Sequence, residues 1–114
     1  MTRWEFLHNV GKLLVYAASL GINLICFTFY RSPAQQLIEY EAGRSRVKHG
    51  KHQDWKAIDF AIVEDINEDG VVDKDEIRWN MNPKYLLLGE YWESLGGTWG
   101  GRWKDPCDPY HFED

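Results

Sequence analysis

The sequence predicts a small α+β domain in which helices pack a short antiparallel sheet. Three observations lead there. An apolar periodicity of helical spacing opens the chain, runs of β-branched and aromatic residues follow it, and two later prolines stand where helices begin. With 114 residues, 44% of them hydrophobic and six of them Trp, the chain has a globular composition and the length of one domain, residues 1–114.

Phe6, Val10, Leu13, Ala17 and Leu20 recur at steps of four and three, which places them on one face of an amphipathic helix that Gly21 ends. Asn23 to Tyr30 reads as a buried strand, with Cys26 as a small core residue. Ser32 can cap a second helix, Pro33 suits its first position, Gln35 would complete a capping box, and Gly43 stops it. Arg31 is thereby set at a strand-to-helix junction, where a side chain can point into a cleft. A polar, basic loop follows from Arg44 to Lys51. Ala57 to Val63 alternates, with Ile58, Phe60 and Ile62 on one face and Ala57, Asp59 and Ala61 on the other. Pro83 opens a third helix that Gly96 and Gly97 stop, and a short final strand is expected after Trp103.

The net charge of −5 hides an asymmetry. Seven acids and one lysine lie between Glu64 and Glu76, leaving 12 bases and 11 acids elsewhere. The first 56 residues hold eight bases against four acids, a cationic half that suits either a solvated surface or an anionic polymer. No nucleic-acid partner is expected. Two distant cysteines, Cys26 and Cys107, make no disulfide framework and fit a reducing compartment. Leu13 to Tyr30 is interrupted by Ser19, Gly21, Asn23 and Thr28. A membrane-spanning helix needs about 20 mainly apolar residues, so no stable membrane insertion is expected.

The chemistry gathers around His52 to Asp59 and Asp108 to His111. Two imidazoles and one carboxylate, from His52, Asp59 and His111, would make a three-ligand zinc site with a fourth position left for water, the form taken by catalytic zinc. Water activated there needs a base within hydrogen-bond reach, and Asp108 stands three residues before His111. The developing oxyanion needs further positive charge in a planar fork, which Arg31 offers. Each residue also has an ordinary reading: a surface or core histidine, a turn-initiating Asp108 before Pro109, an Arg31 paired on the surface. His49 competes with His52 as first ligand, and a Cys107 thiolate is conceivable. It is the joint occurrence that favours chemistry.

These residues resemble a family. Tyr30-Arg31-Ser32-Pro33-Ala34-Gln35-Gln36, His52 with Ala57 and Asp59, Leu88 to Gly96, Trp99-Gly100-Gly101 and Asp108-Pro109-Tyr110-His111-Phe112-Glu113 are similar to the peptidoglycan peptidases related to D-Ala-D-Ala carboxypeptidases. Phage endolysins acting as L-alanyl-D-glutamate endopeptidases are the nearest in pattern. The resemblance implies His52, Asp59 and His111 as zinc ligands, Asp108 as general base and Arg31 as transition-state stabiliser. It also implies an antiparallel sheet at the zinc site. Two departures stand out: Gly50 where the family has Ser, which removes a substrate hydrogen bond, and Trp55 where it often has Gly.

Within this pattern sits a second metal motif. Residues 65–76 match an EF-hand loop: Asp65, Asn67 and Asp69 supply oxygens, Gly70 turns, Val71 offers its carbonyl, Asp73 follows and Glu76 closes as the bidentate ligand. Oxygen ligands suit Ca²⁺. There is no second EF-hand to pair with, so an ordering or regulatory role is expected rather than a sensor, and some related phage endopeptidases are calcium-dependent.

The expected protein is therefore a monomeric zinc metallopeptidase of the peptidoglycan stem peptide, regulated by calcium. Neither a wall-binding module after Glu113 nor a signal peptide before the domain is expected. The resemblance then places it in the host cytoplasm until a holin opens the way to the cell wall. Its rivals are a D-Ala-D-Ala carboxypeptidase or dipeptidase, and a non-catalytic metal-stabilised binding module like that of hedgehog proteins. Trp55, Trp99 and Trp103 are expected to fill the core.

Overall fold

The computed structural model describes residues 1–104 and 106–114. Three helices, α1 (Arg3–Ser19), α2 (Pro33–Glu41) and α3 (Pro83–Ser94), accompany five strands: β1 (Asn23–Thr28), β2 (Ala57–Val63), β3 (Ile77–Arg78), β4 (Thr98–Trp99) and β5 (His111–Glu113). The expected α+β class, with three helices and an antiparallel sheet, is what the chain adopts.

Each helix begins where a short polar side chain accepts an otherwise unpaired backbone N–H: Thr2 from Glu5, Ser32 from Gln35 and Asn82 from Lys84. Such caps are worth about 1 kcal/mol each. Gly21 follows α1 at φ +69°, a left-handed position that glycine takes without penalty.

The sheet is built on β2. One edge pairs with β1, from Asn23 opposite Val63 to Thr28 opposite Asp59. The other edge is divided. Its first half pairs with β5, setting Asp59 directly opposite His111, and its last two residues pair with β3. β4 then pairs with β5. All seven residues of β2 are buried.

Alternation on β2 separates core from chemistry. Ile58, Phe60 and Ile62 join Phe6, Val10, Leu13 and Ala17 of α1 and Tyr85, Leu88 and Trp92 of α3 in one hydrophobic core, closed by Trp99 and Phe112. Burying each large apolar side chain contributes about 1.5–3 kcal/mol. Gly89 lets α3 approach β4, since a Cβ there would lie 2.0 Å from the Trp99 ring.

Several expectations need correction. β1 is largely exposed or half-buried, and Cys26 is exposed, because β1 is an edge strand whose outer side meets no further layer. Leu20 lies beyond the last helical residue and is 46% exposed. Gln35 donates its backbone N–H to Ser32, but its side chain turns to Glu39 at 2.8 Å, so the capping box is half made. Only Trp99 of the three tryptophans fills the core; Trp55 is exposed and Trp103 half-buried. The two-residue strands β3 and β4 were too short to show periodicity.

Candidate metal centre and its cleft

Sheet register makes half of the centre. Because Asp59 and His111 are opposite on β2 and β5, their side chains meet with Nδ1 of His111 3.0 Å from Oδ1 of Asp59. The third group arrives from the turn before β2. The backbone N–H of Arg31 donates to the His52 carbonyl, and Nδ1 of His52 lies 2.8 Å from the Phe29 carbonyl, which pins that turn to the end of β1. Nε2 of His52 then reaches Oδ2 of Asp59 at 3.2 Å. His52, Asp59 and His111 are all buried, and one donor atom of each lies within 4.8 Å of the others.

The outer nitrogens decide whether these groups fit a metal. His52 has its Nδ1–H committed to a carbonyl, so Nε2 is the nitrogen it turns inward. His111 has Nε2 against Oε1 of Glu113 at 2.8 Å, leaving Nδ1 inward. This is how histidine ligands are oriented in metal sites, with a carbonyl or carboxylate behind each ring. Two imidazoles and one carboxylate are a donor set that would suit Zn²⁺.

The electrostatics are those of a compact charge cluster. Burial pushes the Asp59 carboxyl up, but hydrogen bonds from His111 and His52 outweigh it and hold it below the usual range. Burial pulls His111 down, yet hydrogen bonds to Asp59 and Glu113 prevail and raise it to about 9. Asp108 is raised, by burial first and then by the charge of Asp59.

Asp108 lies outside the three-donor cluster but lines the same cleft, as does Arg31. Its backbone is fixed by an N–H to the Gly100 carbonyl at 3.0 Å and a carbonyl that accepts from His111. Gly100 makes this possible: a Cβ there would stand 2.5 Å from the Asp108 carbonyl oxygen. The loop before His52 is the cationic part of the cleft wall, with Arg44, Arg46 and Lys51, and Asp59, Asp108 and Glu113 line the same cleft. Arg46 reaches across to Trp103, 5.4 Å from the ring centroid, and to the Pro106 carbonyl.

Among competing residues, His49 is exposed and pairs with Asp54 at 2.9 Å, and Cys107 is exposed with its thiol toward the Gly101 carbonyl. Neither joins the donor cluster. Sequence reasoning named Glu113 without giving it a role; its signal was its place two residues beyond His111 on the same strand face. Gln36, also unassigned, is buried beside Arg31.

At the far end of β2, residues 65–76 form a second cluster, in which carboxylates of Asp65, Asp69 and Glu76 lie within 4.8 Å of one another. Glu76 is buried and its two oxygens accept from the backbone of Ile66 and Asp73 at 2.8 and 2.9 Å. Asp65 accepts from Gly70 through Oδ2, while its Oδ1 is buried without a hydrogen-bond partner. Asn67 and Val71 both donate to Asp69, and Asp73 is raised by the neighbouring charge of Glu76.

A buried His–Asp–His centre on an antiparallel sheet, with a carboxyl and an arginine in one cleft, has the make-up of a catalytic metal site. The chain belongs to the peptidase family described as D-alanyl-D-alanine carboxypeptidase, whose model matches residues 43–114. It is 32% identical over 117 residues to the peptidoglycan L-alanyl-D-glutamate endopeptidase CwlK of Bacillus subtilis (strain 168), covering 92% of this chain and 68% of that protein. It is 28% identical over 102 residues to the L-alanyl-D-glutamate peptidase of Listeria phage A118. That match covers 90% of this chain but 34% of the phage protein, so the chain spans about a third of that relative's length. In fold it is similar to the L-Ala D-Glu endopeptidase ChiX of Serratia marcescens, with TM-score 0.68 and 20% identity over 95% of this chain and 76% of that one. A Zn(II) complex of the vancomycin-resistance D,D-pentapeptidase VanY gives TM-score 0.56 and 18% identity over 95% and 69%.

Proposed function

We propose that this chain is a zinc metallopeptidase that hydrolyses the stem peptide of peptidoglycan at the bond between L-alanine and D-glutamate. The observation that carries this reading is the convergence of His52, Asp59 and His111 within 4.8 Å, in a cleft that Asp108 and Arg31 also line. The names of the two sequence relatives supply the substrate. Zinc bound there would polarise a carbonyl and lower the pKa of a water to about 7.

The residues divide the remaining work. Asp108 takes the proton of the attacking water; its raised pKa suits a base that must next hand that proton to the leaving amine. Arg31 donates to the carbonyl oxygen as it gains negative charge. Glu113 and the Phe29 carbonyl keep the two imidazoles in orientation. The cationic wall attracts the carboxylates of the stem peptide.

Calcium is the finer part of the proposal. Ca²⁺ binds within residues 65–76 through Asp65, Asn67, Asp69, Val71, Asp73 and Glu76, and orders the segment that follows β2. The partnerless Oδ1 of Asp65 and the mutual repulsion felt at Asp73 support it. The protein acts as a monomer and a phage endolysin, held in the host cytoplasm and working on the wall after holin release; similarity to the Listeria phage protein supports that placement. No described helix is long and apolar enough to cross a membrane.

A mass-spectrometric digest of purified peptidoglycan, with zinc and with or without Ca²⁺, tests the bond cleaved and the calcium role. New amino termini at D-glutamate are expected, with faster release when Ca²⁺ is present. Loss of terminal D-alanine alone would move the assignment to a carboxypeptidase, as the family description allows. An intact wall would refute the peptidase. Equal rates with Ca²⁺, with a selective chelator and in Glu76→Gln would remove the calcium role alone.

A further inference from the structure

α2 presents one buried side chain, Gln36, at 1% exposure. An amide buried that deeply must have its donors and acceptor matched. Its Nε2 donates to Ser45 Oγ and to the Val47 carbonyl, both at 2.8 Å. Those two bonds use both hydrogens of the NH₂ group and so determine which end of the amide is oxygen. The oxygen faces Arg31, whose Nη1 donates to it at 3.1 Å. A flipped amide would set NH₂ against the guanidinium and a carbonyl against the Val47 carbonyl. The amide therefore has one orientation, and both of its ends are committed.

Each end holds a different part of the cleft. Arg31 lines it from the β1–α2 junction, with its backbone already tied to His52. Ser45 and Val47 belong to the loop that carries Arg44, Arg46 and Lys51 along the cleft wall. Gly50, from that same loop, packs close to the amide, with a Cβ built there 3.3 Å from Nε2. With both NH₂ hydrogens used and the side chain 1% exposed, Gln36 acts on substrate through the groups it holds.

We propose that Gln36 is a positioning residue for the reaction: its amide fixes the Arg31 guanidinium against the cationic loop 44–51, so that one side chain sets both the charge that meets the developing oxyanion and the wall that meets the substrate. The proposal rests on the peptidase reading above. A misplaced guanidinium still attracts substrate but misses the oxygen on which charge develops, so the loss falls on kcat more than on KM.

The test is a double-mutant cycle on stem-peptide hydrolysis by the zinc-loaded protein, using Gln36→Leu, Arg31→Ala and the pair. Gln36→Leu is expected to lower kcat by about 10- to 100-fold, the scale of a small misplacement near the reacting atoms. KM should move far less and zinc content should stay unchanged. In the Arg31→Ala background the same substitution should cost little, because its target is gone. Gln36→Glu keeps the acceptor for Arg31 but opposes the Val47 carbonyl. It should recover part of kcat while trypsin cuts at Arg44, Arg46 or Lys48 faster than in the parent protein. Should Gln36→Leu fail to fold, Gln36→Met takes its place in the cycle. Parental kcat in Gln36→Leu, or equal losses with and without Arg31, would overturn this role and leave the peptidase standing. A parent protein that leaves the peptide uncut would overturn both.

Discussion

The two ends of β2 gather charge in opposite ways. At Asp59 the carboxylate is buried between two imidazoles, and each ring is braced from behind by a carbonyl or carboxylate. Beyond Val63 the carboxylates of Asp65, Asp69 and Glu76 come together with no imidazole among them and are held by backbone N–H groups. The first arrangement is balanced by its own side chains. The second leaves like charges facing each other and one buried oxygen without a partner. Nitrogen donors in a protected pocket favour a borderline metal such as zinc, whereas an oxygen-only loop with uncompensated charge favours a hard cation.

Removing one donor from each end is the sharpest way to break this comparison. Asp59→Ala is expected to abolish zinc retention and peptide hydrolysis together, while Glu76→Gln keeps one zinc per chain; metal analysis after gel filtration decides. Equal zinc loss from both would make the two ends a single site. Next in size, Asp108→Ala should retain zinc and lose about 10²–10⁴-fold in kcat, the worth of a general base. Full activity in that variant would remove Asp108 from the mechanism. Glu113→Gln is milder. The ring behind it keeps a partner without charge, and zinc affinity should fall about 10- to 100-fold in a chelator competition.

Two smaller predictions sharpen the comparison in the supporting structure. At the loop end, the Tyr85 hydroxyl accepts from the Ile62 N–H at 2.9 Å and donates to the Arg78 carbonyl at 2.5 Å, bridging β2 and β3. Tyr85→Phe leaves two strand groups unpaired and should cost about 1–3 kcal/mol in urea unfolding. Burial raises the Tyr85 phenol from its ordinary 10.0 to about 12. The folded state thus favours the neutral phenol, and that stabilisation is complete below pH 10 and lost as pH rises through about 12. The Phe variant should show a flatter stability profile across this window.

At the metal end, Trp55 sits at φ +62°, a backbone that side chains resist, and stacks on Tyr30 with ring centroids 4.1 Å apart. Glycine takes this left-handed backbone without penalty. Trp55→Ala should lose the stacking and keep the strain, whereas Trp55→Gly relieves the strain, so the Gly variant should be the more stable by about 1 kcal/mol. The reverse order, measured by thermal unfolding, would show that the turn tolerates a Cβ.

Much was legible along the chain because its physics is local. The periodicity of α1, the cap at Ser32, the opening proline of α3 and the alternation of β2 depend on near neighbours in sequence. That His52, Asp59 and His111 belong together was legible only through the resemblance and the joint chemistry, since His52 and His111 are far apart in the chain. The exposure of β1, the bracing by Glu113 and the Phe29 carbonyl, and the burial of Gln36 were invisible, because each depends on which strand lies beside which. By itself the sequence determined where α2, α3, β1 and β2 begin and which side chains offer metal donors. Tertiary structure decided which of those residues meet, because the register of β5 on β2 sets Asp59 against His111 and the fold at the end of β1 brings His52 to them.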